Sequence, residues 1–175
     1  MRKPIYYLTA ILLLFSLSIM TSCKDDEEDE VTPENEEFVA DNNSFKDFDS
    51  WMMVAQHQGP DPALGQAHHG NDSTVVREVF FKNDQMPVNG VYPTGTIIVK
   101  ESTNPDNSIH EVTAMVKRGN DFNPSGGDWE WFMLTPNGDI AKDQDGNAMR
   151  GANLMNGMCL SCHTQASNDD YVFSR

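Results

Sequence analysis

Cys159-Leu160-Ser161-Cys162-His163 is the stretch whose residue types and spacing most directly permit chemistry. Two thiols at i and i+3 lie on neighbouring sides of one helical turn, where both can add to the two vinyl groups of a haem, and the next side chain can then ligate the iron. C-x-x-C-H is therefore the pattern of covalent c-type haem attachment, with Cys159 and Cys162 as thioether donors and His163 as the metal ligand. Met155, Met158, Cys159 and Cys162 fall at i, i+3, i+4 and i+7, which predicts a short helix with an apolar, sulfur-lined face. Three other chemistries use the same residue types. A Cys159–Cys162 disulfide suits an oxidising compartment but gives no reason for the adjoining histidine. A structural zinc site wants a fourth ligand nearby, whereas His57, His68, His69 and His110 are distant in sequence and no second C-x-x-C occurs. A thioredoxin-type pair follows an early strand of a βαβ unit, whereas this pair lies near the C-terminus behind a turn-rich segment.

The chain that must position these residues has 175 residues, 38% hydrophobic and 22% charged. That suits one globular domain, and argues against a disordered chain or a polytopic membrane protein. A net charge of -15 repels polyanions, so nucleic acid is not an expected partner. With three cysteines in all, the sequence is not a disulfide-dense scaffold.

Arg2 and Lys3 precede a largely apolar run over 5–20, too short for a spanning helix, and residues 1–22 read as a signal peptide. The run ends in Met20-Thr21-Ser22-Cys23, which resembles a bacterial lipoprotein box and makes Cys23 the expected lipidated N-terminus and membrane anchor. Asp25-Asp26-Glu27-Glu28-Asp29-Glu30 follows, with Glu34, Glu36 and Glu37, so residues 23–40 are expected to be an acidic, disordered tether. An acidic run in that place also resembles the surface-export signal of some bacterial lipoproteins. The expected location is the outer membrane, facing the periplasm or the cell surface.

Residues 41–175 are the expected folded domain. Ser44 with Asp47 three residues on, and Phe45, Phe48, Trp51, Met52 and Ala55 at helical spacing, predict an amphipathic helix over 44–56. The breakers Gly59-Pro60, Pro62, Gly65 and Gly70 predict a loop over 57–73. Runs at 75–81, 96–100, 111–117 and 129–134 are rich in β-branched and aromatic residues and separated by turn signals, which predicts strands of one antiparallel sheet. No crossover helix separates them, so the fold class is α+β with a mainly antiparallel sheet and a C-terminal attachment helix. Asp143-Gln144-Asp145-Gly146 hints at a calcium loop, but that register puts Ala141 and Ala152 where carboxylates are required, and it reads as a turn.

Beyond the attachment motif, the order of several short blocks resembles the cytochrome P460 and cytochrome c′-beta family. They are Trp51-Met52-Met53-Val54, Thr74-Val75-Val76-Arg77, Gly95-Thr96-Ile97-Ile98-Val99-Lys100-Glu101, Ala114-Met115-Val116-Lys117, Trp129-Glu130-Trp131-Phe132 and Asp170-Tyr171-Val172-Phe173-Ser174-Arg175. The resemblance implies a curved antiparallel sheet with a few helices, a homodimer, and one five-coordinate haem c with an open distal face. It places His163 as proximal ligand and Lys100 at the lysine that one branch joins covalently to the haem edge. Arg77 matches a haem-pocket arginine of the family, where a propionate or distal polar role suits its guanidinium, against a bland reading as a sheet-face salt bridge.

The pattern departs at Thr113, which stands where the P460 branch has a distal carboxylate serving in proton transfer and which cannot itself be a carboxylate base. Glu111, two residues earlier and on the same strand face, is a displaced substitute about 7 Å away. The c′-beta branch instead crowds the distal side with aromatic groups, for which Phe80 and Phe81 are candidates. His57, His68 and His69 are candidate sixth ligands, although histidines of a polar loop are usually solvated. Three readings follow: a mono-haem module that binds nitric oxide or a related small ligand or passes an electron to an unidentified partner, an oxidase of hydroxylamine with a Lys100-modified haem, and a non-haem structural lipoprotein domain with a Cys159–Cys162 disulfide.

Overall fold

The computed structural model describes residues 36–173. The expected signal peptide over 1–22, the lipidated Cys23 and the tether up to residue 35 lie outside the described residues. What is described is an α+β fold around one open, curved sheet of six antiparallel strands: β1 (Met52–Gln58), β2 (Val76–Phe81), β3 (Ile97–Thr103), β4 (His110–Lys117), β5 (Trp129–Leu134) and β6 (Arg150–Gly151). The strands lie in the order β1 to β6, so each pairs with its neighbour in sequence. α1 (Met158–His163) is the α-helix of the C-terminal segment.

The four strands expected from β-branched and aromatic runs are β2 to β5. The helix expected over 44–56 does not form. Two 3-10 turns stand there, Asn42–Ser44 and Phe48–Ser50, followed by β1. The cap belongs to Asp41, whose carboxylate accepts from the Ser44 amide while Ser44 Oγ accepts from the Asp41 amide. Phe45 and Phe48 are buried as the helical pattern demands, but Met52 and Met53 are 52% and 48% exposed, because β1 is an edge strand with a bulge between Met53 and Ala55. β1 also takes His57 and Gln58 from the expected loop. The Asp143–Gly146 stretch is a turn, closed by the Gly146 amide donating to the Asp143 carbonyl.

Alternation along the strands divides the sheet into two faces. Phe45, Phe48, Phe80, Val99, Val116 and Phe132 form a core on one face. Glu130 is buried behind it, with its carboxylate held by Arg150 (Nε and Nη2, both 2.7 Å) and Arg118 (Nη1, 3.3 Å). The same two arginines reach the leading segment, Arg150 donating to the Ala40 carbonyl and Arg118 to Glu37. On the other face Val79, Phe81, Ile98, Met115, Trp131 and Val172 form a second core, which carries the C-terminal segment.

Candidate functional site

The second face of the sheet does not close everywhere. A cavity of about 580 Å3 lies against it, of a size to take a cofactor. Its floor is made by side chains that alternation points the same way: Arg77 and Val79 on β2, Ile98 and Lys100 on β3, Glu111, Thr113 and Met115 on β4, and Trp131 on β5. One wall is the loop after β1, through Asp61, Leu64 and His68, and the other is the C-terminal segment with Cys159, Cys162 and His163. The residues singled out in sequence as haem donors thus meet Lys100, Arg77, Thr113 and Glu111 in one cavity.

Cys159 and Cys162 are free thiols on α1, and burial pushes the Cys159 thiol above its ordinary range. The helix is shorter than the expected sulfur-lined face, because Met155 sits at φ 53 and interrupts it before Met158. His163 is held on three sides. Trp131 lies 4.6 Å from it by ring centroids and Phe173 5.2 Å, while Nδ1 is 2.7 Å from the Tyr171 carbonyl. A carbonyl only accepts, so Nδ1 carries the hydrogen and Nε2 keeps its lone pair. Burial pushes the imidazole down to about 4, so the ring is neutral and able to ligate at neutral pH.

The loop wall has its own clamp. Arg77, 2% exposed, donates Nη2 to the Gly59 carbonyl and Nη1 to the His69 carbonyl at 3.4 Å, spending its guanidinium on the two ends of the loop rather than on a carboxylate. Arg77→Met therefore leaves the Gly59 carbonyl without its side-chain donor, while the His69 carbonyl keeps the Asp72 amide, and is expected to cost about 1–3 kcal/mol in urea unfolding, with faster amide exchange confined first to residues 59–72.

His68 is half-buried rather than free in solvent, packed against Glu111, Nδ1 to Oε1 3.2 Å, and His69 stands 3.7 Å from Oε2. A carboxylate accepts, so His68 Nδ1 donates, and this bond is the chief reason the Glu111 carboxyl stays below its ordinary range. Burial outweighs the carboxylate at His68 and lowers its pKa. His68 and His69 adopt left-handed backbone at φ 48 and 54, an uncommon state for non-glycine residues. His57 lines the cavity from β1. Phe80 and Phe81, candidates for an aromatic distal wall, do not line it: Phe80 packs in the first core, and Phe81 packs beside Tyr92 in the second.

Lys100 pairs across the sheet with Val79 and Thr113 and makes no ion pair among the described residues. Burial, helped by the Arg77 charge, lowers its ammonium to about 8. The sign follows from proton counting: between about 8 and the ordinary lysine range near 10.5 the unfolded chain holds a proton the folded one has lost, so stability rises with pH across that window. Lys100→Met is expected to flatten that rise, read as the difference in urea midpoint between pH 7 and pH 10.

The fit of a haem rests on these donors. Trp131 lines the cavity floor with its ring beside His163, while its Nε1 is buried away from the cavity and has no hydrogen-bond partner among the described residues. Two thiols and a bare imidazole nitrogen around one cavity fit a covalently held haem better than a structural zinc, since among the described residues no three His, Cys, Asp or Glu side chains converge as a metal site. Sequence reasoning did not single out Trp131 or the Tyr171 carbonyl as parts of the site. Trp131 lay inside a recognised strand, and a carbonyl leaves no mark on residue type.

A family model described as Cytochrome P460 matches residues 45–174. No curated protein and no solved structure matches the chain.

Proposed function

The chain belongs to the cytochrome P460 family, a family of haem cytochromes, and from that premise we propose that it is an exported mono-haem c-type cytochrome that binds nitric oxide or a related small nitrogen-oxide ligand, or passes an electron. Cys159 and Cys162 would hold the haem through thioethers, and His163 would ligate its iron through Nε2. The observation that carries this reading is the His163 Nδ1 to Tyr171 carbonyl bond, which fixes the ligating tautomer beside two cavity-lining thiols. When bound, the haem supplies an iron whose ligand and electron chemistry the protein tunes through axial ligation and burial. The cavity's apolar residues, Val79, Ile98 and Met115, shield it from water. Lipid anchorage at Cys23, outer-membrane placement and a homodimer belong to the same proposal.

A second reading, hydroxylamine oxidation, is favoured by one arrangement. Glu111 with His68 puts a carboxylate–imidazole pair in the cavity, able to accept a proton from a substrate although Thr113 cannot. Lys100 in the same cavity is the residue available for a bond to the haem edge.

The absorption spectrum of the protein, produced with a cytochrome c maturation system, tests both. An ordinary five-coordinate haem c spectrum, shifting with dithionite and nitric oxide, supports gas binding. A markedly red-shifted ferrous band supports the Lys100-modified oxidase, and Lys100→Ala then restores the ordinary position. Protein without haem sinks both readings and leaves the thiols as disulfide partners.

A further inference from the structure

We infer that the buried Lys117–Asp170 ion pair is a positioning device for His163, holding the Tyr171 carbonyl on Nδ1 so that the axial nitrogen keeps one tautomer and a strong donor character. The inference rests on His163 being the axial ligand.

Asp170 is fixed at both ends. Its carboxylate accepts Lys117 Nζ at 2.7 and 2.8 Å and the Tyr92 amide at 2.7 Å, and its own carbonyl accepts Trp129 Nε1 at 2.7 Å. Lys117 and Trp129 are register partners on β4 and β5, and the ammonium lies 5.2 Å from the Trp129 ring, so the charge is enclosed by the sheet rather than by water.

The next residue is the one that bonds His163. Asp170 and Tyr171 adopt consecutive left-handed backbone at φ 52 and 66, which for a bulky residue such as Tyr171 is a genuine outlier that persists only where its surroundings hold it. Several contacts do so. The Tyr171 amide donates to the Ala166 carbonyl at 2.8 Å, its hydroxyl donates to the Ser125 carbonyl at 2.9 Å, and a Cβ on Gly127 would come within 2.9 Å of the Tyr171 ring. The result is a reversed backbone whose carbonyl faces back onto the attachment helix.

A buried ion pair is weak evidence for stability, since removing both charges from water costs as much as their attraction returns. Here it sits one peptide from the carbonyl that decides which nitrogen of His163 is free. A hydrogen-bond acceptor on Nδ1 orients a ligating histidine and raises its basicity.

The test is the ferrous iron–histidine stretch, by resonance Raman on the haem-loaded protein, in wild type, Asp170→Asn, Lys117→Met and Lys117→Arg. Asp170→Asn and Lys117→Met are expected to move the band to lower frequency and broaden it. Lys117→Arg, which keeps the charge, is expected to restore most of the wild-type position. A lowered melting temperature with an unmoved band in both neutralising variants overturns the inference and leaves the pair as packing only. If a variant loads too little haem, the 15N shifts of His163 in the apoprotein decide. Mixed tautomers support the device, and an undisturbed Nδ1–H tautomer overturns it. Wild type without haem defeats the proposed function instead, and the 15N comparison still judges the ion pair.

Discussion

Serine at both Cys159 and Cys162 is expected to abolish covalent haem. On a denaturing gel the wild-type band stains for haem peroxidase activity and the double variant does not. The two thiols line one cavity from a single short helix and are both free, so each is expected to carry one thioether, and either single variant to retain a fraction of the stain. His163→Ala separates attachment from ligation. It leaves the stain and alters the spectrum, because it removes the imidazole while sparing the thiols. A double serine variant that still stained would assign the attachment to another residue of the cavity, Lys100 being the one at hand.

The largest expected loss of stability lies on the opposite face of the sheet. Glu130→Ala is expected to cost about 3–5 kcal/mol in urea unfolding, since removing one partner of a buried ion cluster strands the others. Glu130 is 2% exposed, and its carboxylate accepts two bonds from Arg150 and one from Arg118. Those arginines are about a fifth exposed, so water recovers part of the loss and the lower end of the range is the better expectation. The leading segment loosens with them, because Arg150 and Arg118 tie it down through Ala40 and Glu37. Haem content per folded molecule should not change, as the cluster faces away from the cavity. A haem loss matching the stability loss would show the two faces to be coupled.

Much of this architecture was legible in the residues. β2 to β5 announce themselves through β-branched and aromatic runs between turn signals, and alternation along β4 puts Glu111 and Thr113 on one face as read from spacing alone. β1 was not legible. An edge strand with a bulge loses the period of two, while Phe45, Phe48 and Trp51, which turn inward from two short 3-10 turns, imitate the period of a helix. That Cys159, Cys162 and His163 belong to one cavity was legible because the C-x-x-C-H pattern is written in residue types. The loop wall was not. That His68 turns inward onto Glu111 depends on Arg77 gripping the backbone at Gly59 and His69, and backbone acceptors carry no signature in a sequence.

The meander order of the sheet bears on how the molecule comes together in time. Every strand pairs with the one before it in the chain, so the sheet can zip from hairpin to hairpin with short loop closures and little entropic delay. The attachment helix lies after the last strand. The segment that carries it is tied to the rest of the fold by contacts of long sequence separation, Asp170 with Tyr92 and Lys117 among them, which are expected to form late because their loops are the longest to close. On the proposed function, that interval is when Cys159 and Cys162 would be open to an enzyme attaching the haem, with the surface that receives them already in place.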